Sequence, residues 1–291
     1  MFYRVPPLAG RGAPVPWWAK IAAKMVFSRV LPSYELRKRL GIGVHSFATA
    51  LDGNRALVEA DLAWFAALAG RGPASLLELG PGDTIATALF AAAAGVRRIW
   101  LMDVGDHAST DMAAYRAIAG RISGDFAAGL DFSDRAALLA SLGATYLTGG
   151  LADLAVIPDG AVELTLSYTV LEHVRRAEFV PLLAELHRVT APGGLGHHLV
   201  DLMDHLGGGL NNLRWGDAVW EHPAVAGSGF YTNRMDREEI TAAAEAVGFE
   251  TAIPYISRWD APPAVKLHRQ FAGRPPDRLC EASFGLHLRR D

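Results

Sequence analysis

Between Ser75 and Leu202 the chain alternates short, nearly continuous apolar runs with longer segments whose apolar positions recur every three to four residues. The apolar runs are "SLLELG", "RRIWLMDV", "TYLTGG", "VELTLSY" and "LGHHLVDL", in that order. "TIATALFAAAAG" follows the first run as a helix, and "EFVPLLAELHRVT" is an amphipathic helix that "APGG" is expected to stop before the fifth run. Strands alternating with helices predict a parallel sheet covered by helices on both faces. Downstream, "REEITAAAEAVGF" reads as a helix, and "ETAIPYIS" and "SFGLHLRR" read as strands. Upstream, "NRALVEADLAWFAALAG" reads as a helix capped by Gly70. Before it, "WWAKIAAKMVFSRVLPSYELRKRLG" has helical spacing and a basic face from Lys20, Lys24 and Arg29. We expect that segment to pack as a cap, with contact to an anionic membrane surface as the alternative. The fold class is therefore α/β and Rossmann-like, a three-layer sandwich around a mostly parallel, seven-stranded sheet. Residues 1–70 form a helical extension and residues 71–291 the main domain.

Composition narrows the function. The 291 residues carry a formal net charge of -3, which speaks against a nucleic-acid partner. A single cysteine, Cys280, excludes an internal disulfide and suits a reducing compartment. No apolar stretch reaches the ~20 residues of a membrane span, and Lys20 and Lys24 interrupt the one signal-peptide-like stretch. A cytoplasmic location is the expectation.

The chemistry is concentrated after the first strand, where the chain reads Gly80-Pro81-Gly82-Asp83-Thr84-Ile85. In an open parallel sheet, ligands bind beyond the carboxyl ends of the strands, and glycine lets a ligand approach the backbone closely. A nicotinamide dinucleotide site wants G-x-G-x-x-G, with its pyrophosphate on the helix N-terminus. The third glycine is missing here, and Glu78 and Asp83 flank the turn. Carboxylates are poor neighbours for a pyrophosphate but suit an ammonium or sulfonium group. Asp103 ends the second strand, where a carboxylate accepts from ribose hydroxyls. A cationic adenosine ligand without phosphate fits best, and that ligand is S-adenosylmethionine. An NAD-dependent oxidoreductase and a non-catalytic adenosyl-binding or scaffold protein are the competing readings.

"LLELGPGDT", "MDV", "SYTVLEHV" and "ELHRVTAPGGLG", in register from roughly Ser75 to Phe249, resemble the class I S-adenosylmethionine-dependent methyltransferases. The flanking "SRVLPSYELRKRLG" and "DHLGGGLNNLRW" resemble a bacterial subgroup that modifies saccharides or small metabolites. The resemblance implies that Gly80, Pro81 and Gly82 line the methionine moiety and that Glu78 faces its ammonium group. It implies that Asp103 binds the ribose hydroxyls and Val104 lies beside the adenine. Leu151, Ala152 and Asp153 in "GGLAD" then fall near the adenine amino group, and Ser167 and Tyr168 flank the reacting methyl.

The acceptor is expected to be a small polar molecule or saccharide, with oxygen favoured over nitrogen or carbon. A hydroxyl must lose its proton as the new bond forms, and Asp201, Asp204 and His205 cluster just past the fifth strand. His205 is the first candidate base, because imidazole titrates near neutrality, and Asp204 is placed to orient it. His197 and His198 are adjacent in a strand, face opposite sides and read as structural. Glu172 and His173 open a helix, where capping is as expected as catalysis. A hard cation such as magnesium stays open, although the carboxylates to complete its shell are not evident. The long, weakly periodic stretch at about 203–236 reads as a lid insert. In it Asn211, Asn212, Arg214 and Tyr231 are candidate substrate contacts, with Trp215, Trp220, Asn233 and Arg234 nearby. Its aromatics either stack on a polar ring or hold the lid down.

Overall fold

A computed structural model describes residues 2–4 and 47–291, with side chains from residue 54 onward. The basic helix expected around Lys20, Lys24 and Arg29 lies outside the described residues.

Nine strands form one sheet among the described residues. They are β1 (Phe2–Arg4), β2 (Ser75–Leu79), β3 (Arg98–Met102), β4 (Ala144–Leu147), β5 (Val162–Tyr168), β6 (Thr190–Asp201), β7 (Glu250–Ala252), β8 (Ile256–Arg258) and β9 (Glu281–Arg289). Their order is β1-β8-β9-β6-β5-β2-β3-β4, with β7 also pairing with β9. The pairs from β4 through β6 are parallel, and β9 runs antiparallel to β6, β7 and β8. The sheet thus exceeds the expected seven strands. "ETAIPYIS" divides into β7 and β8, and the first residues of the chain pair with β8.

Among the described residues six helices of seven residues or more flank the sheet: α1 (Phe47–Ala69), α2 (Ala86–Ala93), α3 (Met112–Ile122), α4 (Arg135–Ser141), α5 (Arg176–Val189) and α6 (Arg237–Ala246). β2 is buried along its whole length, as a strand covered on both faces must be. Because side chains alternate across a strand, Leu76 joins a core with Leu62, Phe65, Leu89 and Tyr115. Leu77 and Leu79 join the opposite core with Phe179, Leu183, Ile240 and Phe284. Gly70 ends α1 with φ 72°, and its N–H donates to the Ala66 carbonyl at 2.9 Å.

One expectation fails at "APGG". It does not separate helix from strand, because β6 begins at Thr190 and runs through it. The Thr190 hydroxyl donates to the Leu186 carbonyl at 2.6 Å and closes α5, so the chain extends at once. Val162 pairs with Thr190 and Leu164 with Leu195, so the Pro-Gly-Gly surplus is absorbed as an irregularity opposite β5.

After β2 the chain moves outward through β3 and β4, and then returns to the other side of β2 as β5 and β6. Strand order reverses between β2 and β5, the crevice where ligands of such sheets bind.

Candidate active site

The parallel strands bring their carboxyl ends to one edge, and most of the candidate residues gather there. Gly80 and Gly82 have φ 65° and 63°, which glycine adopts without strain. A Cβ on Gly80 would lie 2.5 Å from Val170 Cγ2, whereas one on Gly82 would meet nothing within 4 Å. Gly80 is thus fixed by packing, and Gly82 faces open space. Helix α2 starts at Ala86, two residues later than expected, with the Thr84 hydroxyl accepting from the Ala86 N–H at 3.0 Å.

Asp103 follows β3 and ties the turn to it. Its Oδ2 accepts from the Gly82 N–H at 3.0 Å and its Oδ1 from the Val104 N–H at 2.7 Å. Val104 beside it is 82% exposed, a bare apolar surface at the mouth of the crevice, and it borders Gly150. Asp153 is used locally, accepting from the Gly149 N–H at 2.6 Å. It holds the turn carrying Leu151 and Ala152.

Glu78 is buried in β2, and the Thr87 hydroxyl donates to its Oε1 at 3.1 Å. Its Oε2 is buried with no hydrogen-bond partner. Burial pushes its carboxyl up to about 8, against the Thr87 hydrogen bond, with nearby Asp103 adding to the rise. Burial also raises Asp83. This donor set fits a cationic adenosine ligand: an unsatisfied buried carboxylate, an open glycine turn and a carboxylate at the end of β3. It does not fit a diphosphate.

The end of β5 is less open than expected. Ser167 is fully buried, and its hydroxyl bonds His198 Nδ1 at 2.8 Å. The Tyr168 hydroxyl donates to Asp61 Oδ2 of α1 at 2.6 Å, and Asp61 Oδ1 meets His197 Nδ1 at 2.5 Å. Both hydroxyls are therefore engaged by other side chains of the fold. Burial drives His198 down to about 3, in keeping with a structural role. Thr169 has φ 56°, a strained value for a non-glycine residue just where the chain turns into the crevice.

On the acceptor side the predicted trio separates. Asp204 is buried, and its carboxylate accepts from the N–H groups of Leu206 (2.9 Å), Gly208 (3.2 Å) and Asn211 (2.5 Å) and from Asn211 Nδ2 (2.9 Å). A carboxylate so committed holds a turn and does not orient a base. Asp201, ending β6, lies instead 3.8 Å from His205 Nε2 through its Oδ2. The His205 ring packs edge-on against His173, with centroids 4.7 Å apart. Glu172 and His173 fall in a one-turn 3-10 helix, not at the start of α5, and Glu172 is 2% exposed. The expected Asp201–Asp204–His205 grouping is replaced by Asp201, Glu172, His173 and His205. An acid next to a histidine directly after a strand was the available signal, and capping hid it.

The insert supplies its own small cores. Leu206, Trp220, Phe230 and Tyr231 pack together, and Leu210 and Leu213 pack on Trp259 and Phe271. Trp220 Nε1 donates to the Thr232 carbonyl at 2.7 Å, the Tyr231 hydroxyl to Glu221 at 2.8 Å and Asn212 Nδ2 to Thr232 Oγ1 at 2.9 Å. Tyr231 and Asn212, expected as substrate contacts, are buried here and bonded within the insert. Buried Arg234 pairs with Asp217 and lies over the Trp220 and Phe271 rings. Arg214 donates to Asn211 Oδ1 at 2.9 Å and, with Trp215, lines an open groove of about 580 Å³.

Residues 77–196 match the family described as "Methyltransferase domain". This segment is a methyltransferase domain. It contains Glu78, the glycine turn, Asp103 and the Glu172–His173 turn, and the sheet around it is the Rossmann-like methyltransferase fold. No curated protein sequence matches the chain. Solved structures resemble it at low identity. A 1,6-didemethyltoxoflavin N1-methyltransferase from Burkholderia thailandensis is 15% identical, with a TM-score of 0.46 over 96% of this chain and 92% of that one. An S-adenosylmethionine-dependent methyltransferase from Archaeoglobus fulgidus is 9% identical, with a TM-score of 0.46 over 89% and 100%. An arsenic(III) methyltransferase from Chlamydomonas reinhardtii is 18% identical, with a TM-score of 0.41; the match covers 74% of this chain and 62% of the algal protein's length. Among the described residues no helix is long and apolar enough to cross a membrane.

Proposed function

We propose that the chain transfers a methyl group from S-adenosylmethionine to a hydroxyl of a small polar acceptor such as a saccharide. The observation that carries this reading is Glu78: a buried carboxylate with an unsatisfied oxygen beside an open glycine turn calls for a cation, not a phosphate. When bound, S-adenosylmethionine supplies a methyl group on a good leaving group, so the protein chiefly has to position the acceptor and exclude water. Glu78 would take the ammonium group, Asp103 the ribose hydroxyls and Val104 one face of the adenine. The exposure of Val104 supports that place for a flat apolar ligand. His205 Nε2, with Asp201 3.8 Å away to stabilise an imidazolium, is positioned to accept the hydroxyl proton. Arg214 and Trp215 on the insert offer a charged group and a flat face to a polar ring.

Calorimetry with S-adenosylhomocysteine tests the reading. The wild type should bind it and not NAD(H), and Asp103→Ala should lose about 1–3 kcal/mol of affinity, the scale of unpaired buried polar groups. Unchanged affinity would remove Asp103 from the ribose role. Incubation with methyl-labelled cofactor and small-metabolite extracts, read by mass spectrometry, then identifies the acceptor. His205→Ala should lower turnover while leaving S-adenosylhomocysteine affinity nearly unchanged.

A further inference from the structure

Four side chains converge at the rim of the crevice, and the glycine turn does not use them. Ligand atoms of Glu172, His173 and His205 all lie within 4.8 Å of one another, and Asp201 adjoins His205. Glu172 is buried with no hydrogen-bond partner of acceptable geometry on either carboxylate oxygen. Only the backbone N–H groups of Glu172 and Asp201 come near enough to offset part of the rise that burial imposes on it. An uncompensated buried carboxylate is costly, and two imidazoles with one carboxylate form a known ligand set for a divalent ion.

The surroundings hold this arrangement in place. His173 Nδ1 lies 2.8 Å from the Tyr231 carbonyl. A carbonyl only accepts, so Nδ1 carries the proton and Nε2 keeps its lone pair, as a metal-binding histidine requires. Asn233, itself buried, clamps the turn: its N–H donates to the Glu172 carbonyl at 2.7 Å. Its Nδ2 donates to the carbonyls of Leu171 at 2.8 Å and Val174 at 3.0 Å. The ligand-bearing turn is thus fixed from the insert, independently of any occupant. Val170, two residues before Glu172, packs on Gly80 and joins the cluster to the glycine turn.

We propose that Glu172, His173 and His205 bind one divalent transition-metal ion of the zinc class. Two imidazole nitrogens disfavour magnesium, which prefers oxygen ligands. Three protein ligands leave a coordination position open, and Asp201 lies 3.8 Å from His205 beside the ligand set. The role of the ion rests on the methyl-transfer reading: it binds the acceptor oxygen and eases loss of its proton. With the ion bound His205 is a ligand, and the proton passes to the Asp201 carboxylate as the oxygen–carbon bond forms and the carbon–sulfur bond breaks. The binding itself does not depend on that reading.

The test uses the full chain, stripped with a chelator and titrated with Zn²⁺ by calorimetry and with Co²⁺ by visible absorption. The expected result is one equivalent per chain, with Co²⁺ bands characteristic of mixed nitrogen and oxygen ligation. Glu172→Gln and His205→Ala should each weaken binding by more than the roughly 10–100-fold that an outer-shell change costs. His222→Ala, an insert histidine outside the cluster, should leave it unchanged. Thermal melts check the fold, and Glu172→Gln preserves the shape of the uncharged carboxyl. Absence of stoichiometric binding in the folded wild type, or binding indifferent to both cluster variants, overturns the proposal. S-adenosylhomocysteine affinity, measured in parallel, shows whether the methyl-transfer reading stands or falls separately.

Discussion

Glu78 shows how one side chain can make both stability and binding depend on pH. Its carboxyl is raised from 4.5 to about 8 in the folded protein, chiefly by burial. The sign follows from proton linkage. Below pH 4.5 both folded and unfolded chains hold the proton, and the stabilisation is fully present. Between 4.5 and about 8 the unfolded chain has released its proton while the folded chain keeps it, so stability falls as pH rises. Above that range the loss is complete. Glu78→Gln should flatten this slope in urea denaturation followed across the same pH range. A ligand ammonium would reverse the preference of Glu78, so S-adenosylmethionine binding near neutrality should release a proton from the wild type. Calorimetry in buffers of different ionisation enthalpy should show that dependence, and Glu78→Gln should lack it. At the turn itself, Gly80→Ala should impair both folding and cofactor affinity, because its Cβ would strike Val170. Gly82→Ala meets only backbone strain, about 1–2 kcal/mol, and equal effects of the two on thermal melting would contradict the packing account.

Among the elements, helix α6 has a complete N-terminal capping box in Asp236 and Glu239. Arg274 and Arg278 pair with the same Asp236. Asp236→Ala should therefore cost up to about 2 kcal/mol for the cap, and more if the arginines lose their partner as well, measured by chemical denaturation. The sequence "REEITAAAEA" made this helix legible because cap, acidic first turn and periodicity agree. "VELTLSY" was legible for a related reason: Val162, Leu164, Leu166 and Tyr168 alternate with polar residues at the period of a strand, and β5 has those bounds. "APGG" misled because proline and glycine mark turns only when neighbouring strands do not take up the surplus. The roles of Asp204, Asn212 and Tyr231 were not legible at all. In the insert, which lacks periodicity, a polar side chain has the same sequence signature whether it meets a ligand or a backbone amide. The glycine turn and Asp103 were legible because the turn's position after a strand already fixes where their backbone lies.

At the scale of the whole molecule, α1 is bound to the sheet through a buried polar chain from Tyr168 to Asp61 to His197. Trp64 of the same helix stacks on His287 of β9, with centroids 4.0 Å apart. Tyr168→Phe removes one donor from Asp61 and should cost about 1–3 kcal/mol in global stability. Because Tyr168 also ends β5 at the crevice, a helix far along the chain from β5 helps set the crevice wall. That long-range tie could not be read from sequence, since 107 residues separate the two partners.

The last strand has a consequence for how the protein is made. β9 lies between β6 and β8 and also holds β7, so β1, β7 and β8 cannot be joined to the parallel strands until residues 281–289 have been synthesised. On a ribosome the parallel half can assemble first, with β6 showing an unpaired apolar edge that invites association with other chains. Nascent chains stalled before residue 281 should therefore be captured by chaperones far more than full chains held clear of the ribosome by a C-terminal linker.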